Sequence, residues 1–165
     1  MDKYLQFVAS TNLKSLLGRG LVTDQIAAIF ELVKNSYDAD AEEVYISFEG
    51  LDSDEPRLII QDNGTGMSLV DIERKWMVIG TDSKKSKQYS PIFNRALNGD
   101  KGIGRFAVDR LGNRLNLVSV ARDSATKISM SFNWNEFEEK YQSVSDVKIP
   151  YVMSRCDKQE TGLYL

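Results

Sequence analysis

Three polar side chains stand at helical spacing in the first quarter of this 165-residue chain. Glu31, Asn35 and Asp38 are four and three residues apart, so a helix places them on one narrow face. An amide oxygen is a suitable ligand for Mg²⁺, and a carboxylate one turn earlier could polarise a water molecule for attack on a phosphate. The alternative is an ordinary amphipathic helix with a solvated polar side. The opposite side is predicted to be the buried apolar face, made of Ile26, Ile29, Phe30, Val33 and Tyr37.

A second group of residues joins a carboxylate to two glycines. The segment 57–61, Arg-Leu-Ile-Ile-Gln, is predicted to be a buried strand, and it runs into Asp62-Asn-Gly-Thr-Gly66. An aspartate at a strand end, followed by glycines, offers a carboxylate in a pocket where the backbone can approach a flat ligand closely. The alternative is a surface turn, because Asp and Gly also favour simple bends.

A third, glycine-rich group precedes a short helix predicted over residues 105–111. Gly102-Ile-Gly104 at the start of that helix would leave several backbone N–H groups available to hold phosphate oxygens. The preceding residues 80–101 have no clear periodicity, and a loop of about twenty residues inside a compact domain is more often functional than passive. The lysines of this loop are interpreted by default as solvated side chains.

The composition bounds the possible function. A net charge of −3 with 42% hydrophobic residues is ordinary for a globular domain and gives no overall reason to expect nucleic-acid binding. Because the chain contains no histidine, Ser-His-Asp, Cys-His and histidine-ligated zinc sites are excluded. There is no P-loop motif, and no apolar run suits a membrane span or a signal peptide. The single cysteine, Cys156, fits a reducing compartment, so a cytoplasmic location without membrane contact is expected.

The remaining pattern predicts the elements that must position these groups. Helices are predicted from a Thr23 N-cap to about residue 38 and, with a Ser68 N-cap, over about 69–77. Short helices are predicted near 12–19 and 136–141. Strands are predicted over 44–48, 57–61, 115–120 and 127–132, the last two as a hairpin. A further strand begins at Gly162, so residues 1–165 are expected to be a single domain from the N-terminal part of a longer protein.

Taken in this order, the three groups resemble the motifs of the GHKL ATPase family (DNA gyrase B subunit, the ninety-kilodalton heat-shock chaperone, histidine kinases and MutL), which has the Bergerat fold. Residues 31–39 resemble the N box of that family, residues 62–66 its first glycine box and residues 99–107 its second. The resemblance covers nearly the whole chain. It implies an α/β fold, an α+β two-layer sandwich whose mixed, mostly antiparallel sheet has helices on one face, and it implies ATP and Mg²⁺ as ligands.

The resemblance also implies roles for individual residues. Asp62 would accept a hydrogen bond from the adenine amino group, Glu31 would be the general base, and Asn35 would ligate Mg²⁺. Asp38 would lie beside the nucleotide, and residues 67–101, approximately, would form the ATP lid. Further nucleotide contacts are expected from the glycine boxes and the lid, at Gly64, Gly66, Met67, Thr81, Ser83, Lys84, Lys101, Gly102, Ile103, Gly104, Arg105 and Phe106.

The choice between branches of the family depends on Glu31. Histidine kinases usually lack a catalytic glutamate at this position, so its presence favours the hydrolysing branches. Residues 80–85 resemble the lid segments of MutL and MORC relatives, and residues 101–107 are closest to MORC-like and bacterial chaperone-like ATPases. Two departures leave turnover by the isolated chain open. The chain lacks a clear Gly-Thr pair near Gly162, and it lacks the transducer domain that supplies a lysine to the γ-phosphate in hydrolysing relatives.

The expected function is an ATP-binding and ATP-hydrolysing module that uses lid closure and dimerisation as a conformational switch. One alternative is the catalytic domain of a histidine kinase, and another is a nucleotide-binding or dimerisation module without catalysis. Residues 1–13, with Tyr4, could form the arm of an ATP-dependent homodimer, although an ordinary edge strand or a frayed terminus is the favoured interpretation. DNA or other protein partners of a longer parent are suggested only by the resemblance to the MutL, gyrase and MORC branches.

Overall fold

The computed structural model describes residues 3–9, 24–79, 89–97, 108, 110–135, 146–157 and 161–165. The helical elements in this part of the chain are α1 (Gln25–Asp38) and the short α2 (Leu69–Asp71), which continues into a π-helical turn over Ile72–Trp76. The strands are β1 (Tyr4–Gln6), β2 (Val8–Ala9), β3 (Val44–Glu49), β4 (Arg57–Asp62), β5 (Val78–Ile79), β6 (Arg114–Val120), β7 (Thr126–Asn133), β8 (Lys148–Arg155) and β9 (Gly162–Tyr164).

Seven strands form one sheet in the order β1-β8-β7-β6-β9-β4-β3, and each neighbouring pair is antiparallel. The strand β9 is inserted between β6 and β4, because Tyr164 pairs with Val118 on one side and with Gln61 on the other. A separate pair, β2 and β5, is parallel. The main sheet is therefore antiparallel throughout, the parallel pair lies outside it, and the predicted α/β sandwich is confirmed.

The hydrophobic core lies between one face of the sheet and the helical elements. Polar and apolar residues alternate along β6 and β7, and the apolar set of each strand is buried. Leu32 of α1 and Ile72 and Trp76 of the π-helical turn pack into the same cluster. The buried strand residues include Leu115, Leu117, Ile128, Met130 and Phe132. The other face of these strands carries exposed or half-exposed side chains, apart from Val120 at the end of β6, which is buried.

The two helix starts show one prediction wrong and one confirmed. The N-cap of α1 is Asp24 instead of Thr23, because the Asp24 carboxylate accepts a hydrogen bond from the N–H of Ile26 at 3.0 Å. Ser68 is the N-cap of α2 as predicted. It forms a capping box with Asp71, in which each side chain accepts a hydrogen bond from the backbone N–H of the other residue. The helix predicted over 69–77 is present, with its second part wound as the π-helical turn.

The buried face of α1 differs from the predicted one. The buried residues are Ala28, Leu32 and Ser36. The prediction of an apolar buried face was wrong, since three of its five residues are exposed and the other two are half-buried. The exposed ones are Ile26, Phe30 and Tyr37. The small side chains of Ala28 and Ser36 let the helix lie close to the sheet, and a hydrogen bond from Ser36 to the end of β4 fixes this orientation.

Five strands lie within one residue of their predicted bounds: β3, β4, β6, β7 and β9. The β6–β7 hairpin turns at Asp123, whose φ of 61° is positive. The strand β8 was missed, because Pro150 and four consecutive exposed residues obscure its alternation. Near the N-terminus, β1 pairs with β8 at one edge of the sheet, as expected if residues 1–13 include an ordinary edge strand.

Three predicted helices fall largely or wholly outside the described residues. Those over 12–19 and 136–141 lie outside them. In the predicted helix 105–111, Val108 and Arg110 are in a 3₁₀ conformation, and the N–H of Leu111 donates to the carbonyl of Val108 at 2.9 Å. No helix in the part of the chain that the structure describes is long and apolar enough to cross a membrane.

Candidate functional site

The carboxylate of Asp62 is buried at the end of β4, where only 6% of the residue is exposed. Its Oδ1 accepts hydrogen bonds from the N–H groups of Gly64 at 3.0 Å and Leu163 at 3.1 Å. Its Oδ2 accepts one from the Ser36 hydroxyl at 2.8 Å. The donors belong to the glycine turn, to β9 and to α1, so one carboxylate joins three elements. Because an ionised carboxylate can accept about four hydrogen bonds, Oδ2 has capacity for one more donor.

The turn after Asp62 is held from both sides by backbone hydrogen bonds. The N–H of Thr65 donates to the carbonyl of Ala39 at 2.8 Å, and the Thr65 carbonyl accepts from the N–H of Arg122 at 2.8 Å. The side-chain oxygen of Asn63 accepts from the N–H groups of Glu42 and Glu43, both at 2.9 Å. The turn is therefore fixed to the end of α1, to the start of β3 and to the β6–β7 hairpin.

Two glycines are required where backbone segments meet around this turn. Gly66 has a φ of +58°, and a Cβ placed there would lie 2.0 Å from the carbonyl oxygen of Val120. Gly162 has a φ of +127°, and its Cβ would lie 2.0 Å from the carbonyl oxygen of Asp62. Only residues without a side chain let β9 and the turn approach their neighbours this closely.

A buried serine holds the residue that follows the turn. The hydroxyl of Ser119, near the end of β6, accepts a hydrogen bond from the N–H of Met67 at 2.8 Å and donates one to the carbonyl of Met67 at 3.2 Å. Ser119 is fully buried, with 0% exposure. Both polar backbone groups of Met67 are thus satisfied by one side chain in a place where unpaired groups would be costly.

The polar face of α1 lies beside this turn. Glu31, Asn35 and Asp38 are half-buried, and Ser36, which follows Asn35, donates to the buried carboxylate of β4. Lys34 Nζ donates to Glu31 Oε1 at 2.7 Å, and this hydrogen bond and the negative charge of Glu31 raise the pKa of Lys34. The structure therefore brings the first glycine turn and the predicted N box together at the end of α1.

A second buried carboxylate, absent from the predictions, follows α1. Asp40 is only 3% exposed and has a φ of 60°. It accepts hydrogen bonds from the hydroxyl of Ser90, from the N–H of Ile92 at 2.9 Å and from the N–H of Phe93 at 3.2 Å. Burial acts to raise the pKa of Asp40, but these hydrogen bonds and the charge of Arg95 outweigh burial and hold the pKa below its ordinary value of 3.8.

Arg95 completes this connection between α1 and residues 89–97. One guanidinium nitrogen donates to the carbonyl of Ala41 at 2.5 Å and lies 3.5 Å from the carbonyl oxygen of Tyr37. The guanidinium carbon lies 4.9 Å from the ring centroid of Tyr37 and 4.7 Å from that of Phe93. The last turn of α1 is therefore fastened to the glycine turn through Ala39 and to residues 89–97 through Asp40 and Arg95.

Many of the predicted nucleotide contacts fall outside the described residues. These are Thr81, Ser83, Lys84, Lys101, Gly102, Ile103, Gly104, Arg105 and Phe106. Within the predicted lid, residues 67–79 and 89–97 are described, and Ile72, Trp76 and Met77 pack in the core. Both the boundaries of the lid and the second glycine box stay predictions.

Four residues that shape the site were missed from the sequence: Ser36, Asp40, Ser119 and Gly162. The first three act through partners 26, 50 and 52 residues away, and no local pattern marks such a pair. Gly162 offered the clearest signal, because a glycine within a strand often marks a close backbone approach.

Comparison with known proteins identifies the family. The sequence profile described as histidine kinase-, DNA gyrase B-, and HSP90-like ATPase matches residues 23–162. A putative type II restriction enzyme, HgiDII, from Herpetosiphon aurantiacus is 36% identical over 112 residues, which are 68% of this chain and 17% of that protein. The DNA mismatch repair protein MutL from Chlamydia felis (strain Fe/C-56) is 28% identical over 98 residues, 59% of this chain and 16% of that protein.

A solved structure shows the same fold. The crystal structure of the N-terminal domain of a DNA repair protein superposes with a TM-score of 0.51 at 13% sequence identity, and it covers 87% of this chain and 35% of that chain. The matched segment is thus a small part of the curated relatives. The sequence profile and the identity to HgiDII nevertheless establish the family of this chain, and membership of that family supports ATP as the ligand. The chain belongs to the family of histidine kinase-, DNA gyrase B-, and HSP90-like (GHKL) ATPases.

Proposed function

We propose that this chain binds ATP beside Asp62 and hydrolyses it in the presence of Mg²⁺. The observation that carries the proposal is the buried Asp62 carboxylate, which is joined by the Ser36 hydroxyl to the helix bearing Glu31 and Asn35. A charged group is rarely left buried without several hydrogen bonds, and this one is held by three with capacity for a fourth. Its remaining acceptor position suits the exocyclic amino group of adenine.

In this proposal the glycine turn shapes the base pocket. Gly64 and Gly66 let the turn lie close to the carbonyls of Ala39 and Val120, and the turn is anchored by Ala39 and Ser119 so that it does not yield when the base binds. Met67, which follows the turn and is held by Ser119, offers an apolar side chain next to the ring. Residues beyond the described ranges, including Lys101, Gly102, Gly104 and Arg105, are proposed to hold the phosphates.

The helix α1 would supply the groups for hydrolysis. Glu31 would take a proton from a water molecule as the water oxygen attacks the γ-phosphorus and the bond to the β–γ bridging oxygen breaks, which gives ADP and phosphate. Asn35 would hold Mg²⁺, which when bound neutralises charge on the phosphates. The donor set fits, because a half-buried amide oxygen is a hard ligand and Mg²⁺ at phosphates needs only one or two protein ligands. Asp38 would lie beside the nucleotide.

The proposed role of this chemistry is a switch. Closure of a lid within residues 67–101 over ATP, followed by dimerisation of two modules, would convert the nucleotide state into a conformational signal. The relatives named for DNA restriction and DNA mismatch repair support a parent protein that acts on DNA. Light scattering with a nonhydrolysable ATP analogue tests the dimer; a monomer at saturating analogue would contradict it.

Calorimetry with ATP and Mg²⁺ tests the nucleotide site. Asp62→Asn should weaken binding about tenfold to hundredfold, the equivalent of about 1.5–3 kcal/mol for a hydrogen bond to a charged group. The matched control is Asp52→Asn, the same change in the exposed β3–β4 turn, which should bind as the wild type does. Equal affinity of the Asp62→Asn variant and the wild type would overturn the proposed pocket.

Phosphate release tests the proposed hydrolysis separately. Glu31→Gln should retain ATP affinity and lose turnover by about 10²–10⁴-fold, because the amide cannot accept the proton from water. If the wild type binds ATP with Mg²⁺ but shows no turnover at high protein concentration, the chain by itself is the nucleotide-binding module without catalysis. Transfer of labelled phosphate from ATP to a histidine of another protein would instead favour the kinase alternative.

A further inference from the structure

The strands on one side of the sheet have an unusual charge pattern. The chain as a whole has 24 acidic and 21 basic residues. The strands β1, β8, β7 and β6 nevertheless contain no Asp or Glu, while they contain four basic residues. At the far end of the neighbouring β3–β4 hairpin, Glu49, Asp52, Asp54 and Glu55 make the turn acidic. The sheet is therefore polarised, with a basic side and an acidic corner.

Three of the basic residues point away from the core. Arg114, Lys127 and Lys148 each stand immediately before a buried core residue, so the alternation of a strand directs them to the opposite face. Their buried neighbours are Leu115, Ile128 and Ile149. The helical elements α1 and the π-helical turn pack on the buried face, so these basic residues lie on the face opposite the helices that the structure describes.

Arg114 and Lys148 lie at the same end of this open face. Arg114 of β6 pairs with Asn133 of β7. On the other side of β7, Met130 pairs with Tyr151 of the antiparallel strand β8. Three residues further along both strands, Lys148 therefore lies opposite Asn133. Because neighbouring strands are about 4.8 Å apart, the two basic residues stand roughly 10 Å apart across β7. Lys127 lies six residues from Asn133 along β7, or roughly 20 Å.

Hydroxyl and amide groups lie between the basic residues, beside the exposed apolar side chains of Pro150 and Val152. Asn116 pairs with Ser131, and the Ser131 hydroxyl donates to the side-chain oxygen of Asn116 at 2.9 Å. Ser129 and Ser154 are on the same face. Arginine, lysine, serine and asparagine are the side chains that commonly bind the phosphates of DNA. A sheet face of this composition can contact a nucleic-acid backbone, and within the described ranges it carries no helix that could enter a groove and read bases.

We propose that this open face of β1, β8, β7 and β6 binds the phosphate backbone of duplex DNA without sequence preference. The positive charge of this face supports a polyanion as its binding partner, and the choice of DNA rests on the proposed function of the parent protein. The nucleotide site is on the opposite side of the sheet, so ATP and DNA would not compete. Three phosphate contacts predict weak binding, with a Kd of about 10⁻⁴ to 10⁻⁶ M at physiological salt.

Fluorescence anisotropy of a short labelled duplex at increasing NaCl concentration tests this surface. For the wild type, the plot of log K against log salt should have a slope of about −3. Arg114→Glu and Lys148→Glu should each lower the affinity about tenfold at low salt and reduce the steepness of the slope by about 1. The matched control is Arg74→Glu, the same charge reversal at an exposed position of the π-helical turn, which should bind as the wild type does.

The melting temperature and the Mg²⁺-ATP affinity of each variant are measured alongside, so that loss of folding or of the nucleotide site is separated from loss of DNA binding. Absence of salt-dependent binding by the wild type would overturn the proposal. An equal loss in the Arg74→Glu control would overturn it as well, because the effect would then follow net charge instead of this face. Tighter binding of duplex RNA than of duplex DNA would overturn the choice of partner.

Discussion

The hydroxyl of Ser36 lies 2.8 Å from Oδ2 of Asp62 and donates a hydrogen bond to it. This contact links helix α1, which carries the proposed general base and Mg²⁺ ligand, to the buried end of β4. It also explains why α1 turns its small residues toward the sheet and leaves Phe30 and Ile26 exposed. The orientation of the proposed general base therefore depends on a hydrogen bond made by a neighbour five residues away along the helix.

Ser36→Ala should weaken ATP binding while leaving the protein folded. Loss of the hydroxyl frees the Asp62 carboxylate to rotate and removes one of its three donors, which should lower ATP affinity about threefold to tenfold. Calorimetry measures the change, and Ser36→Thr, which retains a hydroxyl, should restore part of the affinity. An alanine variant with wild-type affinity would show that the Ser36 hydroxyl does not position Asp62 for the ligand.

Asp40→Ala should destabilise the protein by about 1–3 kcal/mol. The substitution leaves the buried hydroxyl of Ser90 and the partly buried N–H groups of Ile92 and Phe93 without their acceptor. Urea unfolding measures the loss, and hydrogen exchange should be faster at residues 90–93. Asp146→Ala removes an exposed carboxylate and should leave both quantities unchanged. Unchanged exchange at 90–93 in the Asp40→Ala variant would contradict the anchoring role.

The same carboxylate makes stability fall in acid. In the unfolded chain the pKa of Asp40 is near the ordinary 3.8, and in the folded protein it is lower. The stabilisation is therefore complete above about pH 4 and is lost as the pH falls through the folded-state value. Asp71 behaves in the same way. Burial acts to raise the pKa of Asp71, but hydrogen bonds from Lys75 and Ser68 outweigh burial and hold the pKa below 3.8. Urea unfolding between pH 5 and pH 2 should show a steeper decline for the wild type than for Asp40→Asn.

Gly66→Ala should be far more damaging than Gly112→Ala. An added Cβ at Gly66 would meet the Val120 carbonyl oxygen at 2.0 Å on a backbone of positive φ, whereas at Gly112 the nearest atom is the Arg114 carbonyl oxygen at 3.8 Å. The first variant should lose at least about 2 kcal/mol of unfolding free energy, and the second should change by less than about 1 kcal/mol. Equal melting temperatures for the two variants would contradict this close approach.

Ser119→Ala should destabilise the protein by about 1–3 kcal/mol, because the N–H and carbonyl of Met67 lose their buried partner. Ser131→Ala, in the adjacent strand, removes an exposed hydroxyl and should cost less than about 0.5 kcal/mol. Thermal unfolding of both variants measures the difference. A similar cost at the two positions would mean that Met67 is held by other contacts.

The elements that follow local rules were predictable from the sequence. Alternation revealed β6 and β7, and the glycine turn after Asp62 was identified together with the buried strand that carries it. The side-chain types at helical spacing indicated α1 and its polar face. Each of these signals lies within about ten consecutive residues, where period and turn chemistry determine the backbone.

The features that depend on distant partners were not predictable. The buried face of α1 follows from the contact of Ser36 with Asp62 and was predicted wrongly from the apolar stripe. Asp40 looked like an ordinary charged residue after a helix, because its donors come about fifty residues later. The strand β8 was missed since its apolar pattern is weak and its place is given by pairing with β1 and β7.

The insertion of β9 between β6 and β4 has a consequence for the order of folding. The N–H of Leu163 reaches the Asp62 carboxylate across 101 residues of sequence, and Leu165 exchanges hydrogen bonds with Ile60. During synthesis, the two halves of the sheet can form earlier but cannot join until β9 has left the ribosome. The same event supplies the final donor to the proposed adenine site. Nucleotide binding would then begin only in chains whose sheet has closed, so ATP would stabilise molecules with a closed sheet and not partly folded ones.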